Sequence, residues 1–225
     1  MIQLKPIKLL PARERVASVL RKEIISQNIE EGVQLTLEST AEKLGVSITP
    51  VREAFQMLEA EGLLTLTPNK GAIIRGITPR TVTEHFQIRA ALESEAVALV
   101  CESKANLSEI QKIVNESEKA VLAKDWDVYG NLNQAFHVAL WTASGNLRLK
   151  NMLAVMWNGL SMRYMETVEE YAQKSHSEHK HILKLLEARN SEEARKLMHR
   201  HIERSMQDML TNLLDKSPQS HQTKR

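Results

Sequence analysis

Apolar residues recur at helical spacing along most of the chain, except in one short segment from Leu63 to Arg75, which is rich in leucine, isoleucine and threonine. Before that segment, residues 11–28 and 39–62 carry the apolar stripes of packed helices. Gly45 divides the second stretch into two short helices, because glycine readily adopts the left-handed conformation of a tight turn. The segment from Leu63 to Arg75 contains a turn at residues 68–71, so it predicts a β-hairpin directly after the second of these helices.

The second short helix, residues 49–61, is predicted to begin with Thr49 as its cap and Pro50 as its first helical residue. Its apolar positions face the preceding helix and leave four polar residues pointing outward: Ser47, Thr49, Arg52 and Gln56. Two helices across a tight turn, followed by a hairpin, are typical of a winged helix-turn-helix that reads DNA. The alternative is a structural helix pair with no nucleic-acid partner, since such pairs are common.

After Thr78-Pro79, which repeats the pattern of a cap followed by proline, every segment has a helical pattern. Six helices are predicted there, at residues 79–103, 107–123, 126–143, 147–173, 176–189 and 191–214. The predicted fold class is therefore mainly α, with a winged helix-turn-helix over 11–76 and an antiparallel six-helix bundle over 78–215. Residues 1–10 are predicted to form a flexible arm, and residues 216–225 a disordered tail.

Four polar residues interrupt the apolar stripes of this bundle: Asn133, His137, His179 and His201. Inward histidines serve either as hydrogen-bonded core residues or, where they converge, as transition-metal ligands through neutral imidazole nitrogens. The residues alone leave both interpretations open. Three histidines on a metal can also form a catalytic zinc site. The alternative is therefore a hydrolytic enzyme, with Glu178 as its candidate general base. The other histidines of the predicted helices do not lie on the apolar stripes and are expected to be exposed to solvent: His85, His176, His181 and His199.

Composition and charge narrow the function. The chain has 225 residues, enough for two domains with their own cores. Its net charge is only +2, which indicates a local basic patch: Arg13 is a candidate phosphate contact, while Arg21 is expected in solvent. So modest a charge predicts weak binding by one domain and hence a dimer over two half-sites. A single cysteine, Cys101, fits a reducing cytoplasm, and no apolar run approaches the roughly 18 residues that suggest a membrane helix.

The segment GVSITPVREAFQMLEAEGLLTLTPNKGAII resembles the winged helix-turn-helix of the GntR superfamily, most specifically in TPVREA, EAEGL and NKGA. NLNQAFHVALWTASGN and EHKHILKLLEARNSEEARKLMHRHI are similar to the FCD effector domain of its FadR-type members, and RAALESEAVAL resembles that domain's first helix. Six helices favour the shorter, VanR-like branch. The resemblance implies a cytoplasmic homodimeric transcription regulator with a palindromic double-stranded operator, an effector site in the helical domain and no membrane partner.

The resemblance also implies DNA contacts. Helix 49–61 would read the major groove through Ser47, Thr49, Arg52 and Gln56, while the wing residues Asn69, Lys70 and Gly71 approach the backbone or minor groove. Two positions depart from the family pattern, because Ile48 and Glu38 stand where arginine is common. Each departure removes a DNA contact, so an operator different from the usual one is expected.

In many FCD domains an aspartate and three histidines hold a metal, and the matching positions are Asn133, His137, His179 and His201. The expected metal is zinc or nickel. Asn133 is a weaker, neutral ligand, which leaves the site more electropositive and favours an anionic effector such as a small organic acid. Arg89 matches a family arginine near the pocket; it can grip that carboxylate or pair with Glu93. The alternatives are a regulator that binds an organic ligand without metal, and a sensor of the metal itself.

Overall fold

The computed structural model describes residues 11–25, 28–68, 70–157 and 168–215. It contains two compact units, which divide between Thr78 and Pro79. The predicted arm, the predicted tail and the predicted wing residue Asn69 lie outside the described residues.

The first unit has the winged-helix order that the sequence predicts. Its elements are α1 (Ala12–Ile25), β1 (Gln34–Leu35), α2 (Leu37–Leu44), α3 (Ile48–Ala60), β2 (Leu64–Thr67) and β3 (Gly71–Ile74). The strands form one antiparallel sheet in the order β1-β3-β2, with Leu66 opposite Ala72 and Gln34 opposite Ile73. Helix α3 packs against α1, α2 and β2, and its buried residues Val51 and Phe55 lie in the core of the unit.

The ends of α2 and α3 set the geometry of the turn between them. The Thr36 hydroxyl accepts a hydrogen bond from the Ser39 N–H at 3.2 Å and so caps α2. Gly45 ends α2 in the left-handed conformation, at φ 64°, as predicted. The prediction that Thr49 caps α3 is wrong, because α3 begins at Ile48 with Ser47 as its N-cap. Pro50 still lies in the first turn, where N–H groups have no partner within the helix.

Arg21 is a second correction, because its side chain is buried instead of solvated. Its Nε and Nη2 atoms donate to the two carboxylate oxygens of Glu61, at 2.6 and 2.5 Å. This bidentate pair joins α1 to the residue that ends α3. Periodicity did not reveal the pair, since its members are 40 residues apart.

Within the described ranges, the second unit consists of helices. They are α4 (Pro79–Glu102), α5 (Ser108–Leu122), α6 (Trp126–Ala143), α7 (Leu147–Met156), α8 (Val168–Glu187) and α9 (Ser191–Asp215). Helix α4 lies along α9, while α5 packs on α6 and α8. The mainly α fold class is thus confirmed. Among the described residues, no helix combines the length and apolar character needed to cross a bilayer.

One predicted helix boundary in this unit is wrong. The break placed between residues 173 and 176 does not exist, because α8 runs without interruption from Val168 to Glu187. Ser175 is buried within that helix, and its hydroxyl accepts a hydrogen bond from Arg204 Nη2 at 2.8 Å. The predicted helix 147–173 is also not a single helix within the described residues. Helix α7 ends at Met156, residues 158–167 lie outside the described ranges, and residues 168–173 belong to α8.

Two glycines offer a matched test of the wing. Gly45 and Gly71 both have positive φ, at 64° and 94°. A Cβ atom at Gly45 would meet nothing within 4 Å. A Cβ atom at Gly71 would collide with the Leu35 carbonyl oxygen of β1. We expect Gly45→Ala to lower the free energy of unfolding by about 1 kcal/mol through backbone strain alone. Gly71→Ala should cost about 2 kcal/mol more, because β1 must also move. Urea denaturation measures both; equal losses would contradict the packing described for the wing.

Candidate metal centre and DNA-binding surface

One face of α6 carries the side chains around which the candidate metal centre is built. Asn133, His137 and Trp141 follow one another at a spacing of four residues and are all buried. That spacing places them one above another on a helix. Helix α8 adds His179 and α9 adds His201, each with only 1% of its surface exposed. The structure therefore brings the three predicted histidines together from three helices.

The histidine rings meet through their Nε2 atoms. His201 Nε2 lies 3.3 Å from His179 Nε2 and 3.4 Å from His137 Nε2. One ligand atom from each of the three rings lies within 4.8 Å of the others. Nitrogen atoms this close can bind a single small cation.

Two carboxylates fix which ring nitrogen of two histidines carries the proton. His137 Nδ1 lies 2.8 Å from Glu93 Oε2, and His201 Nδ1 lies 2.6 Å from Glu178 Oε2. A carboxylate accepts, so each Nδ1 donates and each Nε2 is left with a lone pair. The lone pairs of His137 and His201 face each other across 3.4 Å, an arrangement that a cation between them stabilises.

Asn133 carries an oxygen donor on the same face of α6, one helical turn before His137. Its Oδ1 is buried and has no hydrogen-bond partner among the described residues. An unpaired buried carbonyl oxygen costs about 1–3 kcal/mol, which a bound ligand would recover. Three imidazole nitrogens and one amide oxygen form a donor set that zinc or nickel accepts. The residues present therefore fit a divalent transition metal.

Glu93 also belongs to the candidate site, although its position in the sequence predicted only a pair with Arg89. Its carboxylate is fully buried in α4; Oε1 accepts from Arg89 Nε at 3.0 Å, and Oε2 accepts from His137 Nδ1 and from Trp141 Nε1 at 2.9 Å. Arg89 thus makes the Glu93 pair that was one of its two predicted roles. Its guanidinium also lies 4.2 Å from the centre of the Trp157 ring, which itself contacts His137. The sequence does contain one sign of this role, which is a glutamate among the apolar residues of α4.

Glu178, the candidate general base, is held in an ion pair. Both of its oxygens accept from Arg204, with Nε–Oε1 and Nη2–Oε2 distances of 2.8 Å, while Oε2 also accepts from His201. Burial alone raises the pKa of Glu178, but the hydrogen bonds from His201 and Arg204 lower it to about 2. A carboxylate with so low a pKa is a poor proton acceptor, so Glu178 orients His201 instead.

Burial keeps the three histidines neutral at pH 7. It lowers the pKa of His137 to about 4, and it lowers the pKa values of His179 and His201 as well. Burial by itself raises the pKa of Glu93, but His137, Arg89 and the hydrogen bonds lower it to about 2. The site therefore presents neutral imidazoles, the form that binds metals.

Two of the other histidines differ from the prediction that they are solvated. His176 is buried, neither of its ring nitrogens has a hydrogen-bond partner among the described residues, and burial lowers its pKa. His85 is half-buried, and burial together with the Arg89 charge lowers its pKa to about 4. His181 and His199 are exposed, as predicted.

Most of the predicted DNA-binding residues that the structure describes are exposed on the first unit. Four of them, together with Ile48, form the exposed face of α3 and its N-cap: Ser47, Thr49, Arg52 and Gln56. Arg13 is half-exposed and lies 3.9 Å from Glu53 of α3. Lys70 is exposed, and its carbonyl oxygen accepts from Gln34 at 3.0 Å. Gly71 has the packing role against β1 described above.

Comparison with known proteins decides the family. Residues 12–74 match the gntR family of bacterial regulatory proteins, and residues 84–204 match the FCD domain. The chain belongs to the GntR family and carries an FCD domain. It is therefore a DNA-binding transcription regulator. Since these families are regulators and not enzymes, the hydrolase alternative has no support.

Individual relatives agree with this assignment. The chain is 36% identical to the uncharacterized HTH-type transcriptional regulator YdhC of Bacillus subtilis over 60% of its own length and 61% of that protein. It is 30% identical to the Uxu operon regulator of Haemophilus influenzae, over 84% and 78% of the two chains. A putative GntR transcriptional regulator from Rhodococcus sp. RHA1 superposes with a TM-score of 0.65 at 25% identity, covering 88% of this chain and 97% of that one.

The lowered histidine pKa values predict acid sensitivity. Between pH 6.5 and about 4 the unfolded chain binds a proton at His137 that the folded chain does not, so stability falls as the pH falls. In chelator-treated protein, we expect His137 alone to remove about 2 kcal/mol of unfolding free energy between pH 7 and 5. Urea denaturation of His137→Gln should show a shallower pH dependence by that amount. His181 is an exposed histidine on α8, so His181→Gln should show the same pH dependence of unfolding free energy as the wild type. An identical pH dependence in all three proteins would contradict the burial effect at His137.

Proposed function

We propose that this regulator changes its operator affinity when a small organic acid binds, with help from a divalent metal, inside its FCD domain. The observation that carries the proposal is the buried convergence of three neutral imidazoles, with the unpaired oxygen of Asn133 one helical turn before His137 on α6. In this proposal the protein acts in the cytoplasm, as a homodimer formed through the helical unit, on a palindromic operator.

The proposed metal ligands are all neutral, so the metal would keep its positive charge. They are Asn133, His137, His179 and His201. The nearby carboxylates do not offset this charge, because Glu93 is paired with Arg89 and Glu178 with Arg204. When bound, zinc or nickel would supply a Lewis-acid centre. An anion is the ligand that such a site attracts most strongly.

Arg89 is the proposed partner of the effector carboxylate. Its Nε holds Glu93, and the aromatic face of Trp157 supports its guanidinium. The other guanidinium nitrogens carry N–H groups in a planar fork that suits a carboxylate. In this arrangement Glu93 positions both the proposed effector ligand Arg89 and the proposed metal ligand His137.

The proposed DNA contacts come from α3 and the wing. Helix α3 would enter the major groove and present Arg52 and Gln56 to base edges, with Ser47 and Thr49 at its start. The wing residues Lys70 and Gly71 would approach the backbone or minor groove, together with Asn69, which lies outside the described residues. Arg13 would contact a phosphate.

Arg52 tests the DNA surface. Arg52→Ala should weaken binding to an operator selected from random duplexes by at least roughly tenfold, because a bidentate base contact is worth about 1–3 kcal/mol. Fluorescence anisotropy at fixed salt measures the affinity. Lys22→Ala removes a charge from the exposed surface of α1 and is the control, expected to bind within about twofold of the wild type. Unchanged affinity in Arg52→Ala would contradict the assignment of α3.

Asn133 tests the metal ligands. Asn133→Asp should bind zinc at least roughly tenfold more tightly than the wild type, because a carboxylate is a stronger ligand than an amide oxygen. Asn151→Asp adds the same charge on the exposed side of α7 and should leave the zinc affinity unchanged. Competition titration against a chromophoric chelator gives the three dissociation constants. Equal constants for the wild type and Asn133→Asp would exclude residue 133 from the coordination shell.

A further inference from the structure

Helix α3 begins with an exposed isoleucine. Ile48 is 38% exposed, whereas the apolar residues that follow it on α3 lie in the core: Val51, Ala54, Phe55 and Leu58. Single exposed apolar residues are common on protein surfaces, so exposure by itself does not indicate function. What distinguishes Ile48 is its position at the start of α3.

Ile48, Arg52 and Gln56 lie on one side of α3. They follow one another at a spacing of four residues and are all exposed. At 3.6 residues per turn, that spacing keeps the three side chains within about 80° of arc. An apolar side chain therefore stands at the head of the polar row that the proposed function directs to the bases.

The N-terminal end of α3 is suited to lie close to the DNA. Residues at the start of a recognition helix are the ones that contact base edges. The Ser47 hydroxyl makes no side-chain capping hydrogen bond within the described part of the chain. First-turn N–H groups of a helix also favour a nearby phosphate. A phosphate contact of that kind would hold the start of α3, and Ile48 with it, at the mouth of the major groove.

Only one base offers an apolar group in the major groove. Thymine carries a 5-methyl group there, whereas the other base edges present hydrogen-bond donors and acceptors. The branched side chain of isoleucine has no polar atom, so it cannot satisfy those donors and acceptors. Against a thymine methyl it removes apolar surface of both partners from water.

We propose that Ile48 is a specificity-determining residue, which packs against the 5-methyl group of one thymine in each operator half-site. This inference rests on the proposed function, in which α3 reads the major groove. It assigns to residue 48 a preference for a T·A pair that is independent of hydrogen bonding. Arg52 and Gln56 would read neighbouring base pairs through their polar groups.

Replacing thymine by uracil tests this contact, because deoxyuridine lacks only the methyl group. Duplexes are first selected from a random pool with the full-length wild-type protein, and each dT of the best duplex is then replaced by dU. We expect one position per half-site at which dU weakens binding roughly fourfold, as the loss of one buried methyl group predicts. Ile48→Ala should bind both forms of that position equally. Val19→Ala, an exposed apolar residue on α1, should keep the wild-type response.

A variant of the neighbouring residue separates the two methyl-bearing side chains at the start of α3. Thr49→Ser removes only a methyl group; because Thr49 is itself a proposed DNA contact, its overall affinity can change, but its ratio of dT to dU binding should equal that of the wild type. If Thr49→Ser abolishes that response while Ile48→Ala retains it, Thr49 is the reader and the inference is wrong. Selected duplexes whose dU responses are the same in the wild type and Ile48→Ala would also overturn it. If no duplex is enriched at all, the proposed role of α3 fails first.

Discussion

The buried carboxylate of Glu93 is the constraint on which the candidate site depends. A charge with no exposed surface is tolerated only when it is paired and hydrogen-bonded, and Arg89, His137 and Trp141 together meet that need. In accepting from His137 Nδ1, Glu93 also fixes the tautomer of that ring and directs its Nε2 toward His201. One interaction thus joins α4 to α6 and sets the direction of a proposed ligand.

Glu178 does the same for His201 from α8, with Arg204 as the balancing charge. Each carboxylate is paired with an arginine and the three imidazoles are neutral, so the electrostatic character of the histidine cluster depends on what it binds. A divalent metal would make it a site for anions. Suppose that the protein has two forms that differ in DNA affinity. A ligand then alters operator affinity only if it binds one form more tightly than the other. That differential affinity is what the proposed regulation requires.

Local patterns predicted most of the fold because its signals lie within a few residues of one another. The Gly45 turn, the wing and the inward faces of α6, α8 and α9 all follow from spacing. Pairings across the fold did not: Glu93 meets His137 44 residues away, and Arg21 meets Glu61 40 residues away. Periodicity shows that a polar residue faces the core, but not which partner neutralises it.

The metal content of the protein is the most direct test of the proposed metal centre. Elemental analysis would be made on untagged protein purified without chelators, beside a His137→Ala variant whose circular dichroism matches the wild type. We expect about one transition-metal ion per chain in the wild type and its loss in the variant, since the site needs all three imidazoles. No metal in the wild type, or the same content in both proteins, would contradict it.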